Sequence, residues 1–70
     1  MGADDLLRRL RRLANQRGWP FREEAGKGSH WKVRLNGRRT VIPLHRGDLA
    51  PGTFRQIKRD LGITDADLEV

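Results

Sequence analysis

The sequence predicts a small α+β fold in which two helices pack on one face of a three-stranded antiparallel sheet, in the order α-β-β-β-α. Apolar residues recur at helical spacing near both ends of the chain and alternate with polar residues in the middle. An Asn36-Gly37 pair between two alternating runs is typical of a tight hairpin. A chain of 70 residues suffices for one domain. We expect a single domain over residues 1–70, with a core over roughly residues 4–64 and an acidic tail over residues 65–70.

The first predicted helix spans Ala3–Arg17 and is amphipathic. We expect Asp4 or Asp5 to cap its N-terminus and Gly18 to end it. Arginines occupy its polar faces. Its apolar stripe consists of Leu6, Leu7, Leu10, Leu13 and Ala14.

The second predicted helix spans Pro51–Leu61 and ends at Gly62. Either Thr53 caps it or Pro51 lies in its first turn. Residues 64–68 have the pattern of a further short turn with Thr64 as its cap. The core-facing residues of the second helix are Phe54, Ile57 and Leu61.

The first strand is predicted over residues 19–24, where Pro20 favours an edge position or a strand that starts after it. The other two strands flank the Asn36-Gly37 turn. In a two-residue turn, the residues on either side of the turn pair with each other, and the pairing continues outward along both strands. The predicted pairs are Leu35–Arg38, Val33–Thr40 and Trp31–Ile42.

Alternation along the central strand divides its side chains between two faces. Trp31, Val33 and Leu35 are expected to face the core, with Ile42 and Leu44 beside Trp31. The opposite face has no helix over it, and we refer to it as the open face. Its predicted residues are His30, Lys32, Arg34, Arg39, Val41, Pro43 and His45.

The chain is strongly basic, and its charge is unevenly distributed. Residues 1–60 carry all 15 Lys and Arg and six of the nine acids, whereas residues 61–70 carry three acids and no base. A basic domain rich in Arg makes nucleic acid the leading partner class, with an acidic protein as the second. The absence of cysteine, of a membrane-length apolar run and of a signal-peptide pattern leads us to expect a cytoplasmic protein with no membrane association.

RNA can be cleaved without a metal, because its own 2′-hydroxyl attacks the adjacent phosphate when one group accepts a proton and another donates one. A histidine titrates near neutrality and can fill either role, which makes His30 the candidate catalytic residue. An incidental surface histidine remains the alternative from the residues alone, because one imidazole on a basic strand is not a motif. Ser29 lacks a base that would make it a nucleophile. The two histidines and Asp48 could be assembled into metal ligands, but no spacing demands it.

Three further stretches resemble one known family. They are the Gly28-Ser29-His30 sequence after the first strand, the Thr-Val-Ile-Pro-Leu-His sequence at residues 40–45, and residues 48–57 with Gly62-Ile63 after them. This combination resembles the HicA toxin family, the small mRNA interferases of HicA–HicB toxin–antitoxin pairs. The resemblance covers roughly residues 4–64.

The resemblance implies a double-stranded-RNA-binding-domain-like fold and a type II toxin that cleaves single-stranded mRNA, with His30 as the catalytic histidine. It also implies a HicB-type antitoxin that binds the toxin and masks the His30 face, so we expect a monomeric free toxin and a hetero-oligomer with the antitoxin. No metal or cofactor is expected. The residues expected to bind RNA phosphate are Lys27, Ser29, Lys32, Arg34, Arg39 and His45. The hairpin register, which places His45 diagonally near His30, also makes His45 a candidate for the second proton transfer; the resemblance assigns it no catalytic role.

Two other functions remain open. One is a non-catalytic RNA-binding module of the same fold, which would recognise RNA shape and 2′-hydroxyls. The other is a basic adaptor that holds an acidic protein and has no affinity for RNA at moderate salt.

Overall fold

The computed structural model describes residues 1–44 and 46–69. Its elements are, in chain order, α1 Ala3–Arg17, β1 Phe21–Ala25, β2 His30–Leu35, β3 Arg38–Pro43, α2 Pro51–Leu61 and a short α3 Asp65–Leu68. The strands form one antiparallel sheet in the order β1-β2-β3. This arrangement confirms the predicted α+β class and element order.

The hairpin between β2 and β3 has the predicted register. Asn36 and Gly37 have φ values of 52° and 83°, so both residues of the turn adopt the left-handed conformation that a type I′ turn requires. Leu35 pairs with Arg38, and the ladder continues to His30 and Pro43. The division of β2 into a core face and an open face is therefore confirmed.

Both helices bury their apolar stripes against the same side of the sheet. Val33, Leu35 and Ile42 of the sheet are at most 1% exposed and lie in one cluster with buried residues of α1 and α2. The buried polar residue Thr40 donates a hydrogen bond of 2.8 Å to Asp60 of α2, so no unpaired hydroxyl is left inside. Trp19, Trp31, Phe54 and Leu44 are half-buried at the margin of this core.

The N-terminal cap of α1 differs from the prediction, whereas the bounds of both helices agree with it. Gly2 is the N-cap of α1 and no side chain caps it; Asp4 and Asp5 lie in the first turn, where a carboxylate favours the positive end of the helix dipole. Ala50 precedes α2 and Pro51 lies in its first turn, which confirms the second of the two predicted alternatives. The first strand begins after Pro20, because proline cannot donate to the ladder. Gly18 and Gly62 end α1 and α2 in the left-handed conformation.

The acidic end of the chain packs on α1 through α3. Thr64 and Asp67 form a reciprocal capping box at its start. Leu68 is 2% exposed and belongs to the core cluster. Arg17 pairs with Asp67 at 2.9 Å, and Arg9 donates to the Leu68 carbonyl at 3.2 Å. Within the described residues, the ion pairs and hydrogen bonds of residues 65–69 are therefore with α1 and α2, and none of them is with the open face of the sheet.

None of the helices within the described residues is both long enough and apolar enough to cross a lipid bilayer.

We expect Leu68→Ala to lower the free energy of unfolding by about 2–5 kcal/mol, because it removes a buried side chain and leaves a cavity between α3 and α1. Urea denaturation followed by circular dichroism measures the change. Glu69→Ala is the matched control, since Glu69 is exposed next to it, and it should lie within about 0.5 kcal/mol of the wild type. Equal stability of the two variants would show that α3 does not contribute to the core.

Candidate active site

The open face of the sheet carries the predicted catalytic residue. His30, Lys32 and Arg34 are exposed on β2, and Arg39 is exposed on β3. Residues of β1 join them, because Arg22 lies opposite Arg34 and Glu24 lies opposite Lys32. A depression of about 740 Å³ lies over the sheet from Lys32 to Arg34, and its lining includes residues of all three strands but not His30.

His30 is the first residue of β2 and is held there by the loop at residues 26–29. Its backbone N–H donates to the Lys27 carbonyl at 3.2 Å, and its own carbonyl accepts from Gly26 at 2.8 Å. The imidazole Nδ1 lies 3.3 Å from the same Lys27 carbonyl. With the proton placed on Nδ1, this contact leaves Nε2 free to accept a proton from a ligand.

Two glycines give the loop the shape that holds His30. A Cβ at Gly26 would lie 3.0 Å from the His30 carbonyl oxygen, closer than such atoms normally approach. Gly28 has a φ of 60°, in the region that favours glycine. The loop therefore depends on glycine at both positions to bring its backbone to His30.

The loop also joins β3. The Ser29 carbonyl accepts a hydrogen bond from the Leu44 N–H, one step beyond the His30–Pro43 pair. Ser29 and Lys27 are both exposed beside His30, as the predicted phosphate-binding role requires. His45, predicted as a further residue of this face, lies outside the described residues.

The register separates the predicted phosphate-binding cations by their distance from His30. Lys32 is two residues from His30, about 6–7 Å along the strand, whereas Arg34 is four residues away, about 13 Å. Arg34 lies directly between Arg22 of β1 and Arg39 of β3. We refer to Arg22, Arg34 and Arg39 as the arginine row. The sheet thus places one lysine near the histidine and three arginines at the far end of the open face.

Residues 7–63 match the family model described as HicA toxin of bacterial toxin-antitoxin. A protein named probable mRNA interferase HicA, from Pseudomonas fluorescens (strain Pf0-1), is 41% identical over 57 residues, which cover 80% of this chain and 92% of the relative. The chain belongs to the HicA toxin family. The resemblance found in the sequence is thereby confirmed, and this HicA-family toxin is one component of a toxin–antitoxin system.

Glu23 has a structural role in this HicA-family toxin that the sequence analysis missed. Its carboxylate accepts two hydrogen bonds from Arg11 of α1, at 2.6 and 2.7 Å, and one from the Trp31 indole N–H at 3.1 Å. Trp31 directly follows His30 in β2. The Arg11 hydrogen bonds, together with the one from Trp31, hold the pKa of Glu23 below its ordinary value. One carboxylate therefore ties the first helix to the two strands beside the histidine.

A pattern in the sequence could have indicated this contact. Glu23 has the same parity as Phe21, so it points towards the helices although it is an acid. A carboxylate in that position needs a cation or a donor, and an arginine-rich helix packs on the same side. The pairing partner itself depends on the rotation of α1, which the sequence pattern leaves open.

Among residues 1–44 and 46–69, no three His, Cys, Asp or Glu side chains are grouped as metal ligands would be.

We expect Glu23→Gln to lower the free energy of unfolding by about 1 kcal/mol at pH 7, a value reduced because Arg11 is half exposed. Since folding lowers the pKa of Glu23, its stabilising effect is present above the unfolded pKa and is lost as the pH falls through the folded pKa. Urea denaturation between about pH 7 and pH 2 should show the two proteins converging in acid. The control Glu24→Gln removes the same charge from an exposed residue of β1. If the difference in the free energy of unfolding between wild type and Glu23→Gln does not narrow in acid, the ionic role of Glu23 is contradicted.

Proposed function

We propose that this toxin is a metal-independent endoribonuclease that cleaves single-stranded mRNA, with His30 as a general acid or base. The observation that carries the proposal is the position of His30, an exposed imidazole at the end of a cationic sheet face, with Nδ1 against the Lys27 carbonyl. Membership of the HicA toxin family and a relative named as an mRNA interferase support the same substrate class.

The reaction uses a nucleophile that RNA itself provides. The 2′-oxygen forms a bond to the adjacent phosphorus, and the bond from phosphorus to the 5′-oxygen of the next nucleotide breaks. A base takes the proton of the 2′-hydroxyl, and an acid gives a proton to the leaving 5′-oxygen. The products are a 2′,3′-cyclic phosphate and a 5′-hydroxyl. His30 supplies one of these two proton transfers.

Cations near His30 would stabilise the negative charge that builds up on the phosphate. Lys32 is the closest of the predicted cations on the same strand face, and Lys27 lies in the adjoining loop. A fixed positive charge beside the phosphate lowers the energy of the transition state more than that of the ground state. Ser29 has a hydroxyl suited to hydrogen-bond a phosphate oxygen.

The same face is the proposed binding site of the antitoxin. A HicB-type protein that covers His30 would exclude RNA and so silence the toxin, and its binding surface should be acidic to match the cations there. We propose that the toxin is a monomer when free, forms a hetero-oligomer with the antitoxin, and acts in the cytoplasm.

A non-catalytic RNA-binding module of the same fold is the alternative function. The cations that lack ion-pair partners favour RNA binding in either case, so affinity for RNA does not distinguish the endoribonuclease from the RNA-binding module. Cleavage of RNA that depends on His30 does distinguish them.

We expect His30→Ala to reduce cleavage of single-stranded RNA by about 100-fold or more in the presence of excess chelator, because a general acid or base contributes at least that much. RNA affinity should change little. Gel analysis with identification of the product ends measures the cut, and circular dichroism verifies that both proteins are folded.

A substrate with 2′-deoxyribose throughout is the matched control, and the wild type should leave it intact. Equal cleavage by wild type and His30→Ala would exclude His30 as the catalytic group. Binding of RNA without cleavage by either protein would favour the RNA-binding module instead.

We expect an added HicB-type antitoxin to abolish cleavage and to shift the amide resonances of β2 and of the loop at residues 26–29 in the ¹⁵N spectrum. The reason is that these residues surround His30 on the open face. Resonances of exposed residues on the outer side of α2 should stay in place. Shifts confined to the helices would contradict masking of the His30 face.

A further inference from the structure

We propose that the arginine row binds a backbone phosphate of the RNA other than the one that is cleaved. The row is thus a second anion site of the substrate, at the opposite end of β2 from His30. This inference rests on the proposed function for the identity of the substrate, and it adds a residue, Arg22, that no sequence pattern indicated.

Strand pairing places the three arginines side by side. Arg22 is the partner of Arg34 in one ladder, and Arg39 is the partner of Arg34 in the other. Directly opposite residues in an antiparallel sheet stand about 4.5–5.5 Å apart. All three side chains are exposed, and all three line the depression over the sheet. All three side chains therefore border one depression, whose lining also includes three acidic side chains.

The arginine row is uncompensated within residues 1–44 and 46–69. There, none of its three side chains makes an ion pair or a hydrogen bond. The acid of the same face, Glu24, lies one row away, opposite Lys32. Like charges placed directly opposite each other in a sheet are destabilising.

Several other arginines of the chain make ion pairs or hydrogen bonds. Arg8 and Arg9 pair with Asp5, and Arg11 and Arg17 pair with Glu23 and Asp67. Arg38, next to Arg39 in β3, turns to the other side and donates to the carbonyls of Asp60 and Arg59 at the end of α2. Arg38 is thus occupied by hydrogen bonds within the protein, whereas Arg39 and the rest of the arginine row are available to a ligand.

The chemistry of the row matches phosphate. A guanidinium presents a planar fork of donors that fits two oxygens of one phosphate, and neighbouring forks can share the anion. The row is about 13 Å from His30 along β2, so the phosphate that it binds cannot be the one that reacts there. Lys32 lies between the two sites on the same face. The three positions together form a cationic path along which an RNA backbone can extend from the cleavage site.

An acidic protein is the rival ligand, since carboxylates also fit the arginine fork. The position of the row favours RNA. It continues the same strand face that presents His30, and a polyanion already held at His30 brings its next phosphates to the row without a separate binding event.

The test is the affinity of Arg22→Gln for a 2′-O-methyl RNA of about 12 nucleotides, which cannot be cleaved because its 2′-oxygens carry no proton. Fluorescence anisotropy at several salt concentrations gives the Kd and its salt dependence. We expect the Kd of Arg22→Gln to rise several-fold. The slope of log affinity against log salt should fall in magnitude by up to about 0.7, the change for one whole phosphate contact on a single strand.

Two control variants separate a phosphate contact from a general effect of charge. Arg55→Gln removes the same charge from an exposed residue of α2 and should leave the slope unchanged. Arg22→Lys keeps the charge but not the fork, so its slope should match the wild type while its Kd lies between those of wild type and Arg22→Gln. Thermal unfolding of Arg22→Gln should occur at the wild-type temperature or above it, because the substitution relieves repulsion.

A Kd and slope of Arg22→Gln equal to the wild-type values would overturn the proposal. So would a fall in the unfolding temperature that accounts for the weaker binding, or unchanged RNA affinity with weakened binding of a HicB-type antitoxin. The readout does not depend on cleavage. A toxin that fails to cut RNA but binds the uncleavable RNA through Arg22 would refute the ribonuclease mechanism and support the arginine row.

Discussion

The two-residue turn at Asn36-Gly37 determines which side of the sheet meets the helices and which side meets solvent. Both residues have positive φ, and this geometry sets the pairing of β2 with β3 from the first pair onward. Because side chains alternate at every residue, a slip of one position would bury His30 and expose Val33. The core and the candidate active site therefore depend on the same turn. A change in the pairing of β2 with β3 would alter both of them.

Those parts of the structure that follow from local periodicity could be predicted from the sequence. The bounds of α1 and α2 and the register of the hairpin agree with the prediction, because helical spacing, terminal glycines and the Asn-Gly pair each act over a few residues. The position of His30 on the open face follows from the same register. The N-terminal caps of α1 and α2 were predicted less well, since Gly2 and Ala50 precede these helices without a side-chain hydrogen bond and so leave no pattern.

Features that depend on the meeting of distant segments could not be predicted. The Glu23 contact requires the rotation of α1 over the sheet, and the arginine row requires the register of β1 against β2. A four-residue loop such as 26–29 permits several registers, so the sequence pattern could not place Arg22 opposite Arg34. The docking of Leu68 likewise depends on an apolar gap beside α1 that exists only after the helices pack.

The uncompensated arginine row gives ionic strength two opposite effects on this toxin. Mobile anions screen the mutual repulsion of the three guanidinium groups, over a Debye length of about 10 Å at 0.1 M salt, and so favour the folded domain. If RNA binds the row as proposed, the same anions compete with its phosphates and weaken association. At the row itself, added salt therefore favours the folded state and disfavours the binding of RNA. A bound polyanion escapes this conflict, because it neutralises the row and shifts the folding equilibrium towards the native state by mass action.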